Sequence, residues 1–257
     1  SDAFLPQVVR GLSQACTERG FQMMINPLEP QERGGYARLI HEKHVDGIVL
    51  SGPRSDDDEL LQLRRDNVPV LMMGQLPGSD IPLVDINAED GARRAVQHLV
   101  QRGHRRIAII TNAPLEYTSA QQRLTGYHLA LQAAGLPLDP ALVRTGAYTP
   151  ASGQAAMHAL LALEQRPTAV FVASDVVCMG AMQAARRAGL HIPADVAFIG
   201  FDDIALAAYF EPPLSTVRLP AFQLGWNAGL RLMDIIENRD PGGATLLDTE
   251  LILRESA

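Results

Sequence analysis

The feature that most constrains the fold is a regular alternation of short apolar runs with helical patterns along nearly the whole chain. A short, continuous apolar run is typical of a strand buried on both faces, as in a parallel sheet. Strands that alternate with helices predict right-handed crossovers and an α/β fold. The predicted strands lie at residues 22–25, 47–50, 69–73, 107–110, 142–145, 169–173 and 196–199.

Helix-ending residues mark several of the segments between these strands. Gly20 and Gly135 each follow a helical pattern at the position that tolerates left-handed backbone. Asn87 is a favourable N-cap, and Ser119 with Gln122 has the spacing of a capping box. Residues 81–85 are predicted to be an extended connector. The predicted helices lie at residues 4–19, 36–44, from 55, from 87 to about 100, 119–134, 152–163, 176–188 and from 221.

Composition places the chain among ordinary globular proteins. With 257 residues, 47% apolar and 20% charged, it can bury the core of one or two domains. No apolar run approaches the roughly 20 residues that a membrane helix needs, and no leader pattern opens the sequence. The net charge is −7, and no basic helix-turn-helix pattern is present. We therefore expect these residues alone to bind DNA poorly, since DNA affinity depends on phosphate neutralisation.

Polar side chains follow several predicted strands at the point where each strand ends. In an open α/β sheet, ligands bind just beyond the carboxyl ends of the strands. Carboxylates accept hydrogen bonds from vicinal hydroxyls, so this placement favours a small hydroxyl-rich ligand. The candidate positions are Ser51, Gln75, Asn112, Ser174 with Asp175, and Asp202 with Asp203.

Several motifs in order along the chain carry a family resemblance. The residues G-F-D-D at 200–203 and P-P-L-S-T-V at 212–217 resemble the lactose/galactose-repressor family of bacterial transcription regulators, in its sugar-sensing domain. Ser174 stands where that family usually has Asn. Further matching motifs are V-D-G-I at 45–48, H-L with G-H-R-R-I-A at 98–108, R-L-T-G-Y at 123–127, P-T-A at 167–169, G-A at 180–181 and the closing L-x-x-R-x-S at 251–256.

The resemblance implies a periplasmic-binding-protein-like type I fold. This is an α/β fold of two similar parallel-sheet lobes with three crossover segments and a ligand cleft between them. Transferred to this chain, the N-terminal lobe comprises residues 1–86 plus 219–244. The C-terminal lobe comprises residues 87–218 plus 245–257. The family's DNA-binding headpiece and its first strand are expected upstream of Ser1.

The resemblance also implies the effector-binding residues. Arg123 matches an effector-binding arginine, and Asp202 matches an effector-binding aspartate. Ser174 takes the place of an effector-contacting Asn. Ser51 and Ser119 match lining positions, and Phe4 matches an aromatic residue that packs on the ligand.

The residues by themselves permit simpler interpretations. Asp175 and Asp203 are favoured as caps of the helices that follow them. A helical arginine such as Arg123 is by default solvated. Ser119 has the capping role already described, and Phe4 fits a core position equally well.

These observations predict the effector-sensing and dimerisation domain of a bacterial DNA-binding transcription regulator of repressor type. It is expected to be a cytoplasmic homodimer that binds a small sugar-like molecule and reaches operator DNA through the headpiece. Leu60, Leu61 and Leu63 give the predicted helix a wider apolar face than a solvated helix needs, which favours a dimer interface. The alternative is that these leucines pack only within their own lobe. For the function, the alternative is a solute-binding protein of a sugar transport system.

Other chemistry finds no support in the sequence. No nucleotide-binding, nucleophile-elbow or zinc-protease motif is present, so neither an enzyme nor a cofactor is expected. His41 and His44 lack a third ligand, which favours a solvated face over a metal site. The acidic run at 56–59 fits the positive end of a helix dipole better than a calcium loop.

Overall fold

The computed structural model of the chain describes residues 4–26, 44–55, 60, 62, 66, 68–239 and 242–257. These residues form two compact units. The first unit comprises Phe4–Ile86 and Pro220–Leu247, and the second comprises Asn87–Leu219 and Asp248–Ala257. Along residues 4–257 the chain therefore changes unit after Ile86, Leu219 and Leu247.

Helices and strands alternate along the described residues. The helices are α1 Phe4–Glu18, α2 Ala88–Gln101, α3 Thr118–Ala133, α4 Pro150–Leu161, α5 Asp175–Arg187 and α6 Ala221–Ile236. The strands are β1 Ile48–Ser51, β2 Val70–Met73, β3 Leu83–Ile86, β4 Ile107–Ile110, β5 Val143–Arg144, β6 Ala169–Val172, β7 Ala197–Asp202, β8 Ser215–Arg218, β9 Ala244–Leu247 and β10 Glu250–Ile252. Short 3₁₀ helices lie at Pro140–Leu142 and Ala205–Tyr209.

The first unit is built on a parallel sheet of strand order β1-β2-β3-β9. β2 is buried along its whole length and contributes to an apolar core with Leu60 and Ile81. Helices α1 and α6 pack closely against each other. A Cβ atom on Gly225 would lie 2.0 Å from the carbonyl oxygen of Val8, so only glycine permits this approach.

The second unit is built on a sheet of strand order β10-β8-β7-β6-β4-β5. All neighbours are parallel except β10, which runs antiparallel to β8. Helix pairs α2–α3 and α4–α5 pack in contact with each other. The contact of α4 with α5 is tight, because a Cβ atom on Gly180 would lie 1.7 Å from the carbonyl oxygen of Pro150.

Most of the predicted elements are confirmed. The strand at 107–110 has the predicted bounds, and the other confirmed elements shift by a few residues. Asn87 caps α2, and its side chain accepts a hydrogen bond from the backbone N–H of Asp90. Gly20 and Gly135 have φ values of 75° and 65°, as helix-ending glycines should.

Three strand predictions are wrong. Residues 22–25 form no strand, and Met24 and Ile25 are exposed. In the described part of the first unit, β1 lies at the sheet edge and pairs only with β2, and residues 22–25 do not pair with its open side. The connector predicted at 81–85 contains β3, which hydrogen-bonds to both β2 and β9. The last strand does not stop at Gly200, because pairing with β8 carries β7 through to Asp202.

Two further expectations need correction. Ser119 does not cap α3, because that helix begins at Thr118 with Tyr117 as its N-cap residue and no side-chain cap bond. Leu60 is wholly buried in the core of the first unit, so it offers no interface surface. Leu61 and Leu63, the predicted helix up to residue 43, His41 and the acidic run at 56–59 lie outside the described residues.

Candidate effector site

The sheet of the second unit brings polar side chains together at one edge. Strands β4, β6 and β7 are parallel neighbours, with Ile110 paired to Val172 and Phe171 paired to Ile199. Their carboxyl ends therefore meet at the same edge of the sheet. Asn112, Ser174 and Asp202 lie at or just beyond these strand ends.

Arg123 reaches this edge from α3. The residue is only 7% exposed, so the default expectation of a solvated helical arginine is wrong for Arg123. Its guanidinium lies 4.2 Å from the ring centroid of Phe201, donates a hydrogen bond to the carbonyl of Ala173, and comes within 3.8 Å of the Asp202 carboxylate. The Arg123 Nε has no hydrogen-bond partner among the described residues. A buried guanidinium with a spare donor can donate to a ligand.

A second polar group lies beside the carboxyl end of β4. Asn112 is buried, and its Nδ2 donates to the Ser119 hydroxyl at 3.2 Å and to the Tyr148 hydroxyl at 3.0 Å. The amide oxygen of Asn112 has no hydrogen-bond partner among the described residues. Since a buried polar atom is normally paired, this oxygen is suited to accept a hydrogen bond from a ligand.

Tyr148 is a site residue that the sequence reasoning missed. It has a left-handed backbone (φ 54°), and its ring lies edge-on to Tyr117 with centroids 6.2 Å apart. The residue is 46% exposed, so it offers surface beside the polar atoms of Asn112. The signal that could have found it is the strand-end rule itself, because Tyr148 follows β5 as Asn112 follows β4.

The two aspartates after Phe201 have different surroundings. Asp202 is the last residue of β7 and has a φ of 119°. Asp203 is not a helix cap, contrary to the favoured interpretation. Its carboxylate accepts hydrogen bonds from Arg218 Nε at 2.7 Å and from an Arg254 terminal nitrogen at 2.6 Å.

Asp175 is also not a cap, although it is the first residue of α5. It is completely buried, and its two oxygens accept hydrogen bonds from the Thr216 hydroxyl at 2.7 Å and the Ile204 N–H at 3.0 Å. Burial, reinforced by the negative charge of Asp202, raises the pKa of the Asp175 carboxyl well above its ordinary value. The Asp175 side chain therefore stabilises the turn after β7 and does not cap α5.

Four of the six predicted effector residues lie in one unit, and two of these, Arg123 and Asp202, approach each other within 3.8 Å. Arg123, Asp202, Ser119 and Ser174 belong to the second unit, where Ser174 is buried as the N-cap residue of α5 without a side-chain cap bond. Ser51 is the exposed last residue of β1, and Phe4 is the half-buried first residue of α1. Both belong to the first unit.

Gln75 also follows a strand of the first unit. Its Nε2 donates to the carboxylate of Asp85 at 3.1 Å. Within the described ranges, no group of three or more His, Cys, Asp or Glu side chains is placed to hold a metal ion.

Comparison with known proteins assigns the chain to a family. Residues 96–257 match the periplasmic binding protein-like domain family. The chain is 36% identical over 259 residues to the HTH-type transcriptional repressor CytR of Escherichia coli, covering 99% of this chain and 76% of CytR. The chain belongs to the LacI family of transcription regulators. The periplasmic-binding-protein-like α/β fold predicted from the sequence is thereby confirmed.

Solved structures of LacI-family proteins agree with this assignment. A complex of the transcriptional regulator CelR with cellobiose has a TM-score of 0.94 and 35% identity, and the match covers 100% of this chain and 80% of that one. A lac repressor dimer bound to operator and an anti-inducer has a TM-score of 0.89 and 27% identity, with 98% and 88% of the chains covered. These similarities support a regulator and not the transport alternative.

The LacI-family relatives are transcription regulators rather than enzymes. Among the described residues, no helix is both long and apolar enough to cross a membrane.

Proposed function

We propose that this chain senses a small sugar-like effector at the carboxyl edge of the second unit's sheet. Arg123 and Asp202 are its central contacts. The observation that carries the proposal is the buried Arg123 guanidinium, which lies 3.8 Å from Asp202 and whose Nε has no hydrogen-bond partner within the described part of the chain. A buried charge of this kind costs free energy unless it gains partners, and an effector hydroxyl is a suitable one.

The neighbouring groups favour a ligand with several hydroxyls. The amide oxygen of Asn112 needs a donor, whereas Arg123 Nε needs an acceptor, and a sugar hydroxyl can act as either. The exposed ring of Tyr148 offers an apolar surface of the kind that packs on a sugar ring. The similar CelR structure holds cellobiose, which makes a saccharide the first ligand to test.

The remaining effector contacts are proposed on the family resemblance. Ser174 and Ser119 lie at the same sheet edge as Arg123, where Ser119 is already hydrogen-bonded to Asn112. Ser51 and Phe4 are proposed contacts from the first unit. The two units are proposed to be the two lobes of the LacI-family sensor.

The test is calorimetric titration of the full chain with cellobiose and a panel of monosaccharides, disaccharides and nucleosides. Arg123→Met and Asp202→Asn should each weaken binding by about 10- to 150-fold, the range for losing a hydrogen bond to a charged group. Arg106→Met is the matched control, because Arg106 pairs with Asp139 at 2.9 Å in the same unit. Unchanged affinity in both site variants, or no binding by any of the panel, would contradict the proposal.

We further propose that the sensor is a non-enzymatic, cytoplasmic homodimer, as part of a repressor that binds operator DNA. The net charge of −7 favours weak DNA binding by these residues themselves. DNA contact is therefore proposed to be made by a helix-turn-helix headpiece, as the family resemblance implies. The similar lac repressor structure is a dimer on its operator. A two-fold reader needs two subunits at a fixed spacing.

Light scattering at micromolar concentration tests the dimer. We expect twice the monomer mass of 27.8 kDa and an interface that buries on the order of 1,600 Å² or more. A monomer mass with and without cellobiose would refute the dimer while leaving the effector site to the calorimetric test.

A further inference from the structure

Asp203 is held by two arginines, although it is not among the proposed ligand contacts. Its side chain is 7% exposed, and each carboxylate oxygen accepts a hydrogen bond from a different arginine, Arg218 or Arg254. Hydrogen bonding to Asp203 is also the main cause that raises the pKa of the Arg218 guanidinium. A carboxylate paired on both oxygens is fixed in orientation as well as in charge.

The backbone at this point is in a conformation that needs such support. Asp202 has a φ of 119° and Asp203 a φ of 51°, so two consecutive non-glycine residues have positive φ. Residues of this kind persist only where the surrounding structure over-determines them, and they concentrate at ligand sites. The turn is further held by Asp175, which accepts from the N–H of Ile204, the residue after Asp203.

The two arginines come from chain segments next to the boundaries of the second unit. Arg218 ends β8 and lies two residues before Pro220, where the chain enters the first unit. Arg254 follows β10, in the segment that begins at Asp248. Arg254 is itself fixed, because it donates to the carbonyl of Leu214 at 2.6 Å and its N–H donates to the Ser215 hydroxyl at 2.9 Å.

Arg218 is linked to the same closing segment. The Nη1 atom of Arg218 pairs with the carboxylate of Glu250 at 3.0 Å. Glu250 lies on β10, directly opposite Arg218 in the antiparallel ladder. The Asp203 carboxylate therefore joins the end of β7 to two neighbouring segments that both border a unit boundary.

We propose that Asp203 is a positioning residue for effector binding: clamped between Arg218 and Arg254, it holds Asp202 in its strained conformation toward Arg123 and ties the effector aspartate to the segments that border the unit boundaries. This rests on the proposed effector role of Asp202. Asp203 itself needs no contact with the effector. Substitution of a residue that acts this way should loosen the turn at Asp202 without changing the stability of the sheet beneath it.

Hydrogen–deuterium exchange of the full chain without ligand tests the clamp. Asparagine at position 203 keeps the size of the side chain and tolerates the left-handed backbone. Glycine removes the side chain and relieves the backbone strain at that position. In both Asp203→Asn and Asp203→Gly, peptides covering 200–206 should exchange about tenfold faster, as expected for the loss of a charge-assisted hydrogen bond. Peptides covering β4 should exchange as in the wild type.

The matched control is Asp139→Asn. Asp139 also accepts from an arginine of the same unit, Arg106, and should leave the 200–206 peptides unchanged. Wild-type exchange at 200–206 in Asp203→Asn would overturn the proposal. Equal acceleration in β4 would also overturn it, because that result means a general loss of stability.

Titration with cellobiose supplies the binding readout. Asp203→Asn should weaken cellobiose binding by about tenfold even though Asp202 and Arg123 are intact. Faster exchange with unchanged affinity would show that the clamp does not position the effector aspartate, and would overturn the inference. If the wild type does not bind cellobiose, the titration is made with the saccharide of the panel that it does bind. If it binds none of them, the saccharide assignment of the proposed function fails, and wild-type exchange at 200–206 in Asp203→Asn still overturns the clamp.

Discussion

The two units use the same parallel strand pattern but differ in how firmly they hold their strand ends. In the second unit, β4 and β6 are buried throughout, and β7 is buried up to its last residue. In the first unit, β2 is buried throughout, whereas β1 is half-buried with Ser51 exposed and β9 is mostly exposed. A site built on buried, fully paired strands is preorganised. The comparison therefore teaches that the second unit supplies the fixed part of the proposed effector site.

The polar groups at the strand ends show the same contrast. In the second unit, Asp175 and Asp203 are locked by hydrogen bonds that come from other strands. In the first unit, Gln75 follows β2 and donates through its neutral amide to the carboxylate of Asp85. The Gln75–Asp85 hydrogen bond has charge only on its acceptor, whereas the hydrogen bond from Arg218 to Asp203 has charge on both partners.

The largest expected effect tests whether tight helix packing stabilises each unit separately. Gly180→Ala places a Cβ atom 1.7 Å from the Pro150 carbonyl oxygen and should destabilise the second unit by about 3 kcal/mol. Gly225→Ala should act similarly on the first unit, where the Cβ would lie 2.0 Å from the Val8 carbonyl oxygen. Denaturant unfolding followed by hydrogen exchange of each unit measures both.

Gly189→Ala is the control for this pair. It has positive φ but nothing within 4 Å of an added Cβ, so its cost should be only about 1 kcal/mol. Losses at Gly180 and Gly225 no larger than the loss at Gly189 would contradict the claim that the close helix contacts exclude a side chain.

A buried hydroxyl sharpens the contrast between the two sheets. Ser256 is completely buried, donates to the Phe198 carbonyl at 2.7 Å and accepts from the Ser215 N–H at 2.8 Å. Ser256→Ala leaves the buried Ser215 amide unpaired and should cost about 2–3 kcal/mol in the free energy of unfolding.

The counterpart in the first unit is Arg231. This side chain joins β3 to the start of β9 by donating to the carbonyls of Leu83 at 2.7 Å and Gly243 at 2.9 Å. Because it is partly exposed, water can replace it, and Arg231→Met should cost about 1 kcal/mol. A larger loss from Arg231→Met than from Ser256→Ala, measured by urea unfolding, would reverse the ranking of the two units.

The helices that follow two of the unit boundaries differ in their caps. Asn87 caps α2 by a side-chain hydrogen bond, whereas α6 begins after Pro220 with no side-chain cap. Asn87→Ala should cost about 1 kcal/mol, and Asn87→Ser should restore most of the loss. No difference between Ala and Ser in thermal unfolding would show that this cap is not used.

Asp175→Asn should have the smallest effect on the free energy of unfolding at low pH. The difference between the variant and the wild type should grow as the pH rises. The folded-state pKa of Asp175 is raised by burial and by Asp202, so the folded protein binds its proton more tightly than the unfolded chain does. Stability is then lost as the pH rises from the unfolded pKa through the raised folded pKa. Asn carries no titrating group, so the wild type should lose stability relative to the variant over that window. Parallel pH profiles would contradict this.

Much of the fold could be predicted because local patterns and tertiary structure agree there. The buried run at 107–110 is apolar at every position, and Asn87 carries its capping signal locally. Arg123 and Asp202 were selected by motif, and the structure places them together. Their role as effector contacts stays a prediction that the binding experiments above test.

The errors occur where pairing rather than local pattern decides the structure. Residues 22–25 were predicted to be a strand, yet they pair with no strand of the described residues. Residues 83–86 become a strand because β2 and β9 lie on either side of them. Tyr148 was missed because its contact with Asn112 joins residues 36 apart in sequence.

The sequence by itself determined the alternation of strands and helices, the cap at Asn87 and the motifs of the family, since these depend on backbone propensity and apolar periodicity within short windows. Only the tertiary structure decided what the acidic residues do. Asp175 and Asp203 carry the same local signal as helix caps, yet their partners lie far along the chain, Thr216 and Arg218 on β8 and Arg254 after β10. A carboxylate binds whichever donors the fold brings within about 3 Å, and no short window of sequence contains that information.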